Sequence, residues 1–464
     1  MTGTAMRENV PTPRPTPTAP RSYRFPAFER VTLPNGLRLV VASVSKLPLV
    51  SVAAVIDAGA STEREGQNGV AALTAQLLVE GAAGLDGAAL VERFERIGTS
   101  VEAHADWDAA MVSLTVLAER LPDALGLVRD LLRAPEFPER EVARLKDERL
   151  AELLQLRAEP RALADEQFAR AVYAPTARYA SPAGGDAPSV RGLTRDLVRS
   201  FYAERYRPGT TTLVFAGDVS VERAAGLAIE LFGDWRGEPT VASSRAVDIS
   251  PAMRLVRIVS KADAPQSEVR VGHAGLPRLH PEYFGVTVMN AVLGGLFSSR
   301  INLNLREAHG YTYGAFSAFE WRRAVGPFMI QTAVKSDVTG AAVREILNEI
   351  DRMRREEIGP DELTLATSYL DGVFPIRYET TAAIATALSN LVIHGLPEHF
   401  YDEYRMRVRE VTTQDVLRAA QQHLHPDQLR IVVVGDPAVI AEPLAQIHGA
   451  PVEVVTPDGA EVAA

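Results

Sequence analysis

The chain of 464 residues contains no cysteine, which excludes disulfides, thiolate metal sites and thiol nucleophiles. Positive charge is also scarce. Lys and Arg number 49 against 59 Asp and Glu, a net charge of −10, so no basic surplus exists to neutralise nucleic-acid phosphates or an anionic membrane. No apolar run approaches the length that spans a bilayer, and the opening MTGTAMRENVPTPRPTPTAPRSYRF lacks the apolar stretch of a secretion signal. A cytoplasmic protein with neither a nucleic acid nor a membrane as partner is expected. The chain also has no G-x-S-x-G nucleophile elbow and no G-K-[ST] phosphate loop. Its nine histidines are scattered, and only His423-Leu424-His425 lie close together. That trio reads as a helix C-terminus, where histidine is favoured, rather than as a metal site.

What is present is an ordinary globular composition, 46% hydrophobic and 23% charged, in a chain long enough for two to four domains. Alternating prolines from Pro11 to Pro17 predict an extended, disordered tail over 1–27. The strand–turn–strand pattern Val31 to Val41 opens a first domain, 28–237. It continues with a central strand from Leu49, a helix from Val70 and a hairpin tipped by Trp107 that packs back on its sheet. Residues 238–252 read as a linker. A second domain, 253–445, comes next, and 446–464 read as a tail. The two halves end alike. Thr194-Arg195-Asp196-Leu197, Pro208 and Leu213-Val214-Phe215-Ala216-Gly217-Asp218 are echoed by Thr413-Gln414-Asp415-Val416, Pro426 and Ile431-Val432-Val433-Val434-Gly435-Asp436. Helix, proline, strand and Gly-Asp in one order point to two tandem α+β domains of similar fold.

The stretch LGGLFSSRINLNLREAHGYTYGAF, Leu293 to Phe316, reads as a helix from Ser298 to Ala308, a turn at Gly310 and a returning strand. Arg306 near the helix end and Tyr313 beyond the turn could meet there, a guanidinium beside a phenol. Such a pair supplies hydrogen-bond donors suited to a peptide carbonyl or a developing oxyanion. The plainer reading makes Arg306 a surface helix residue and Tyr313 a strand aromatic. Gly294-Gly295 lacks the rest of a dinucleotide fingerprint and reads as a tight turn or close packing.

Ser299-Arg300, Leu305-Arg306-Glu307, Gly310 and Tyr313 resemble the second-half signature of the M16 (pitrilysin/insulinase-like) metallopeptidases, and the resemblance covers roughly 28–440. It implies two M16-type domains forming one half of a clamshell. It also implies that Arg306 and Tyr313 approach the substrate peptide. The family carries H-x-x-E-H on a helix of the first half, where two His one turn apart face one zinc and the Glu is general base. Here Gly69-Val70-Ala71 leads into Ala72-Leu73-Thr74-Ala75-Gln76. The ligand positions are therefore Ala72 and Gln76, and the base position is Ala75. Glu152 stands at the third ligand's place. One carboxylate is no zinc site, so no metal or other cofactor is expected in this chain.

The resemblance then implies the non-zinc subunit of a heterodimeric M16B-type zinc endopeptidase. A partner with H-x-x-E-H would hold the zinc, while Arg306 binds the substrate backbone and Tyr313 the oxyanion of a peptide or unfolded protein. The chain would be inactive alone. The alternative is a non-catalytic scaffold or peptide-binding protein on the same fold.

Overall fold

The computed structural model describes residues 22–237, 247–447 and 449–460. Eight strands lie in the first half: β1 (Glu29–Thr32), β2 (Arg38–Ser43), β3 (Leu49–Ile56), β4 (Gly81–Ala82), β5 (Leu85–Asp86), β6 (Glu102–Ala105), β7 (Ala110–Leu117) and β8 (Thr211–Gly217). Six lie in the second: β9 (Leu255–Ser260), β10 (Gln266–Ala274), β11 (Ala315–Phe319), β12 (Pro327–Lys335), β13 (Arg430–Gly435) and β14 (Val452–Val455). β4 and β5 form a small separate hairpin.

The two large sheets have the orders β1-β2-β8-β3-β7-β6 and β14-β9-β13-β10-β12-β11. β2-β8 and β9-β13 are parallel, and every later pairing in both sheets is antiparallel. The duplication expected from the two Gly-Asp endings is thus a repeated sheet. Only the outermost strand differs, since β1 pairs antiparallel with β2 whereas β14 pairs parallel with β9.

The central strands read as nearly unbroken apolar runs, LVSVAAVI in β3 and IVVV in β13, which is the pattern of strands covered on both faces. Successive side chains point to opposite sides. Leu39, Val41, Val52 and Ala54 face the helices of their own half. Val40, Ala42, Ala53 and Val55 face a core that includes Ile384, Ala385 and Leu388. Those three belong to helix Thr381–His394 of the other half. The converse also holds: helix Pro160–Val172 of the first half sets Leu163, Phe168 and Val172 against Val432 and Val434 of β13. Gly272 on β10 is needed there, because a Cβ would lie 2.9 Å from Phe168 Cζ and 2.0 Å from the Phe328 carbonyl.

Polar ties obey the same exchange. Arg270 of β10, buried to 1% exposure, donates through Nε to Asp165 at 2.6 Å. Arg323 donates from its backbone to Asp108 and from its side chain to Asp57, at 2.8 and 2.5 Å. Trp107 does not pack back on its own sheet as expected. Its ring lies between halves, with the Arg322 guanidinium 4.3 Å and the Arg178 guanidinium 5.2 Å from its centre.

Three boundaries differ from the expected ones. Of the tail 1–27, residues 1–21 lie outside the described ones, but Phe25 is buried and stacks on Tyr401 of the second half at 4.7 Å. Of the linker 238–252, residues 238–246 lie outside the described ones. Ile249 bridges to Tyr173, which ties the approach to the second domain to the first. The expected tail after 445 contains β14, an added sheet strand. One segment, Tyr283–Ala308, does meet the length and hydropathy of a membrane span, contrary to expectation, but 61% of its apolar window is buried inside the fold. Its backbone also leaves the helix at Leu296, where φ is −116° and ψ is 157°. In hydrocarbon such a break would strand unpaired peptide groups.

The exchange of helices predicts one cooperative unfolding transition. Phe168→Ala, which empties first-half volume from the second-half core, is expected to lower stability by about 3–5 kcal/mol without splitting that transition in calorimetry. Two transitions with only one displaced would show that the halves fold independently.

Candidate functional site

Helix Val70–Leu77 carries the degenerate motif, and its start is built by a carboxylate. Gly69, at φ 98°, offers no side chain to cap it. Glu63 accepts the backbone N–H groups of Gly69 and Ala71 at 3.0 and 2.9 Å instead, a negative group where the helix presents free N–H dipoles. Arg178 donates to the same carboxylate at 2.6 Å, with both side chains 2% exposed or less. Burial pushes the Glu63 carboxyl upward, and Arg178 with the two N–H groups opposes it. Removing one partner of such a buried pair costs roughly 3–5 kcal/mol. Arg178 also donates to the carbonyls of Ser181, Pro182 and Ala183. The loop over 181–185 is thereby held against the helix. It comes so near that a Cβ on Gly69 would sit 2.7 Å from the Gly184 carbonyl.

Ala72, Gln76 and Glu152 come together as the resemblance implied, lining one cavity of about 190 Å³. Ala75, fully buried, does not border it. The cavity holds a cation of the chain's own. Arg149, one turn before Glu152, donates to its carboxylate at 2.7 Å and to the Gly184 and Gly185 carbonyls at 3.2 and 3.3 Å. A Cβ on Gly184 would approach the guanidinium carbon to 3.1 Å. The residues present do not fit zinc: two methyl-bearing or amide side chains replace imidazoles, and the one carboxylate is already neutralised.

The second candidate pair is not brought together. Gly310, at φ 65°, makes the expected turn, and Tyr311 N–H bonds back to Leu305 at 2.8 Å. Asn302 then accepts from Ala315 N–H at 3.0 Å, and Gly294 packs so tightly on β11 that a Cβ would lie 2.4 Å from Ser317 Oγ. This places Tyr313 at the tip of a Thr312–Gly314 turn closed by the Thr312 hydroxyl. Its side chain is 95% exposed and borders a groove of about 770 Å³, shared with Arg161, Arg270, Phe316 and Gln331. Arg306 lies elsewhere, its guanidinium 4.5 Å from the Phe297 ring centre and 3.3 Å from Glu307. Among the described residues no hydrogen bond or ion pair joins Arg306 to Tyr313. Their helix is also wider than expected: only Arg300–Asn302 is α-helical, and Leu303–Ala308 winds as a π-turn, which shifts Arg306 around the axis.

Three features were not read from the sequence. Arg149 had a readable signal, its position three residues before Glu152 on one helix. The Glu63–Arg178 pair, 115 residues apart, had none. Nor did the approach of His280, Glu282 and His423, whose possible ligand atoms all lie within 4.8 Å of one another. His423 is the last residue of helix Thr413–His423, as expected, but its companion His425 turns away to meet His273.

Reinstating the imidazoles tests the role of the guanidinium. Ala72→His with Gln76→His is expected to bind no more zinc than the parent chain while Arg149 remains, and one further equivalent once Arg149→Ala is added. Metal analysis after dialysis reads the difference. An extra equivalent with Arg149 in place would mean that the guanidinium does not block the site.

Comparison with known proteins agrees with this architecture. A family model described as "Insulinase (Peptidase family M16)" matches residues 39–181, and one described as "Peptidase M16 inactive domain" matches 192–370. An uncharacterized zinc protease of Streptomyces coelicolor is 24% identical over 401 residues, 85% of this chain and 87% of its own length. A probable mitochondrial-processing peptidase subunit beta of Arabidopsis thaliana is 24% identical over 88% of this chain and 78% of its own. A crystal structure described as the peptidase M16 inactive domain from Pseudomonas fluorescens matches with a TM-score of 0.83 and 26% identity, covering 88% of this chain and 98% of that one. With both halves matched in order by models of one family, and the repeated sheet to match, the chain belongs to the peptidase M16 family.

Proposed function

We propose that this chain is the non-zinc subunit of a two-chain M16-type endopeptidase, contributing peptide-binding and oxyanion-stabilising groups to a partner that carries H-x-x-E-H. The observation that carries this reading is Tyr313. A phenol 95% exposed beside a groove is available to a ligand, whereas a phenol retained for packing would be buried. The partner supplies the metal and the general base. This chain's residues hold the substrate: Tyr313 donates to the scissile carbonyl as negative charge develops on its oxygen, and the groove's edge positions the backbone. Arg306 joins only after leaving Phe297 and Glu307. Both contacts are weak because the guanidinium is more than one-third exposed.

A second reading, a peptide-binding or scaffold protein with no part in hydrolysis, is favoured by one observation: the separate engagement of Arg306. A quenched-fluorescence peptide library distinguishes the two. This chain alone is expected to be silent, and its mixture with the H-x-x-E-H protein of the same genome active and chelator-sensitive. Tyr313→Phe in the mixture should lower kcat on the order of 10²-fold while complex formation and zinc content stay unchanged. Assembly with full turnover by Tyr313→Phe removes the oxyanion role. Assembly without any hydrolysis leaves the scaffold.

A further inference from the structure

Two imidazoles and a carboxylate from distant parts of the second half converge at the junction of two helices. His280 and Glu282 lie on the turn that starts helix Tyr283–Asn290, with Glu282 as its N-terminal flanking residue. His423 is the last residue of helix Thr413–His423. The His280 and His423 rings are 4.9 Å apart, and His423 Nε2 is 2.5 Å from Glu282 Oε2. One hydrogen bond accounts for a His–Glu pair, but not for the second imidazole turned toward it. The His280 ring itself accepts only a long hydrogen bond among the described residues, 3.3 Å from the Glu282 N–H to Nδ1.

We propose that His280, Glu282 and His423 form a binding site for a divalent transition metal, zinc being the reference ion, that pins the start of helix Tyr283–Asn290 to the end of helix Thr413–His423. Two imidazoles with one carboxylate are a ligand set that zinc takes in tetrahedral geometry, leaving a fourth position to water. Imidazole ligands favour zinc, copper and nickel over magnesium or calcium. Metal–ligand bonds near 2.1 Å put tetrahedral ligand atoms about 3.4 Å apart. The present atoms lie within 4.8 Å of one another, so the widest pair would close by up to about 1.4 Å, while His423 and Glu282, now 2.5 Å apart, would open by about 1 Å.

The surroundings orient the carboxylate as outer groups do at metal sites. The Gln422 amide nitrogen, in the orientation its neighbours require, donates to both Glu282 oxygens at 2.8 and 2.9 Å. Arg418 lies 3.6 Å from Glu282 and competes with a cation there. His425 and His273 stand behind the site, the His425 N–H donating to His273 Nε2 at 3.2 Å. Because the helix beginning at Tyr283 leads to Gly294 and thence to the Tyr313 turn, a metal here braces the element on which that turn rests. The proposal is independent of any partner subunit, since all three ligands belong to this chain.

The test uses the full chain, stripped with a chelator and titrated with Zn²⁺ alone against a chromophoric chelator, and with Co²⁺ alone by visible absorption. One Zn²⁺ per chain and the intense bands of low-coordinate Co²⁺ are expected. His280→Gln and His423→Gln should each weaken binding at least about tenfold. Arg418→Gln should tighten it at least about fivefold, the effect of removing one unit charge some 4 Å from another in water, since the metal carries two. His104→Gln, at an exposed histidine of β6 in the other half, should change nothing. Absence of stoichiometric Zn²⁺, a weak octahedral Co²⁺ spectrum, or binding indifferent to both His280→Gln and His423→Gln would each overturn the site. If His423→Gln fails to fold, the parent Co²⁺ spectrum and the Arg418→Gln affinity decide.

Discussion

Each sheet has a face that its own half cannot cover, and the rest of the structure depends on that constraint. A central strand with apolar side chains on both sides must find two layers of partners. The helices of the first half cover one face of its sheet. Helix Thr381–His394 from the second half covers the other, and helix Pro160–Val172 returns the arrangement. Polar ties lie where the exchange places them: Arg270 with Asp165, Arg323 with Asp57 and Asp108, and Arg322 over the Trp107 ring. The two halves are therefore joined by shared cores as well as by the chain between them.

In the first half, the cavity bordered by Ala72, Gln76 and Glu152 is organised by guanidiniums. Glu152 keeps its place on the rim of the cavity, its side chain 57% exposed to solvent. Arg149 donates to it from the same helix and gathers the Gly184 and Gly185 carbonyls as well. Arg178 gathers the three carbonyls before them. One loop is thus held by two guanidiniums against helix Val70–Leu77, and the region keeps its shape without inorganic charge. In the second half, the Tyr313 turn is closed by the Thr312 hydroxyl and leaves its phenol exposed. The weak contacts of Arg306 leave that residue the more adaptable of the two.

Local chemistry was legible in the sequence because it depends on neighbours in the chain. The alternation and unbroken apolar runs of the strands, the helix from Val70, the turn at Gly310 and the repeat ending in Gly217 and Gly435 could all be read from residue order. So could the loss of ligands at Ala72, Ala75 and Gln76, since no fold gives an alanine a lone pair. The widening at Leu303–Ala308 could not, because an extra residue in a helical turn is set by how Asn302 and Gly294 pack against β11. Nor could the contacts of Arg306 with Phe297 and Glu307, which engage it apart from Tyr313.

The sequence by itself determined the class of the fold, its duplication and the replacement of the H-x-x-E-H residues by Ala72, Ala75 and Gln76, all matters of residue type and spacing along the chain. Only the tertiary structure decided which helix covers which sheet, where Tyr313 points, which cation fills the vacated cavity and that His280, Glu282 and His423 converge. Several of these rest on groups far apart in the chain, such as Glu63 with Arg178, 115 residues apart, and Ser51 with Thr381, 330 apart. Contacts at such range carry no local signature, because the packing of whole elements, rather than any preference of the residues themselves, brings them together.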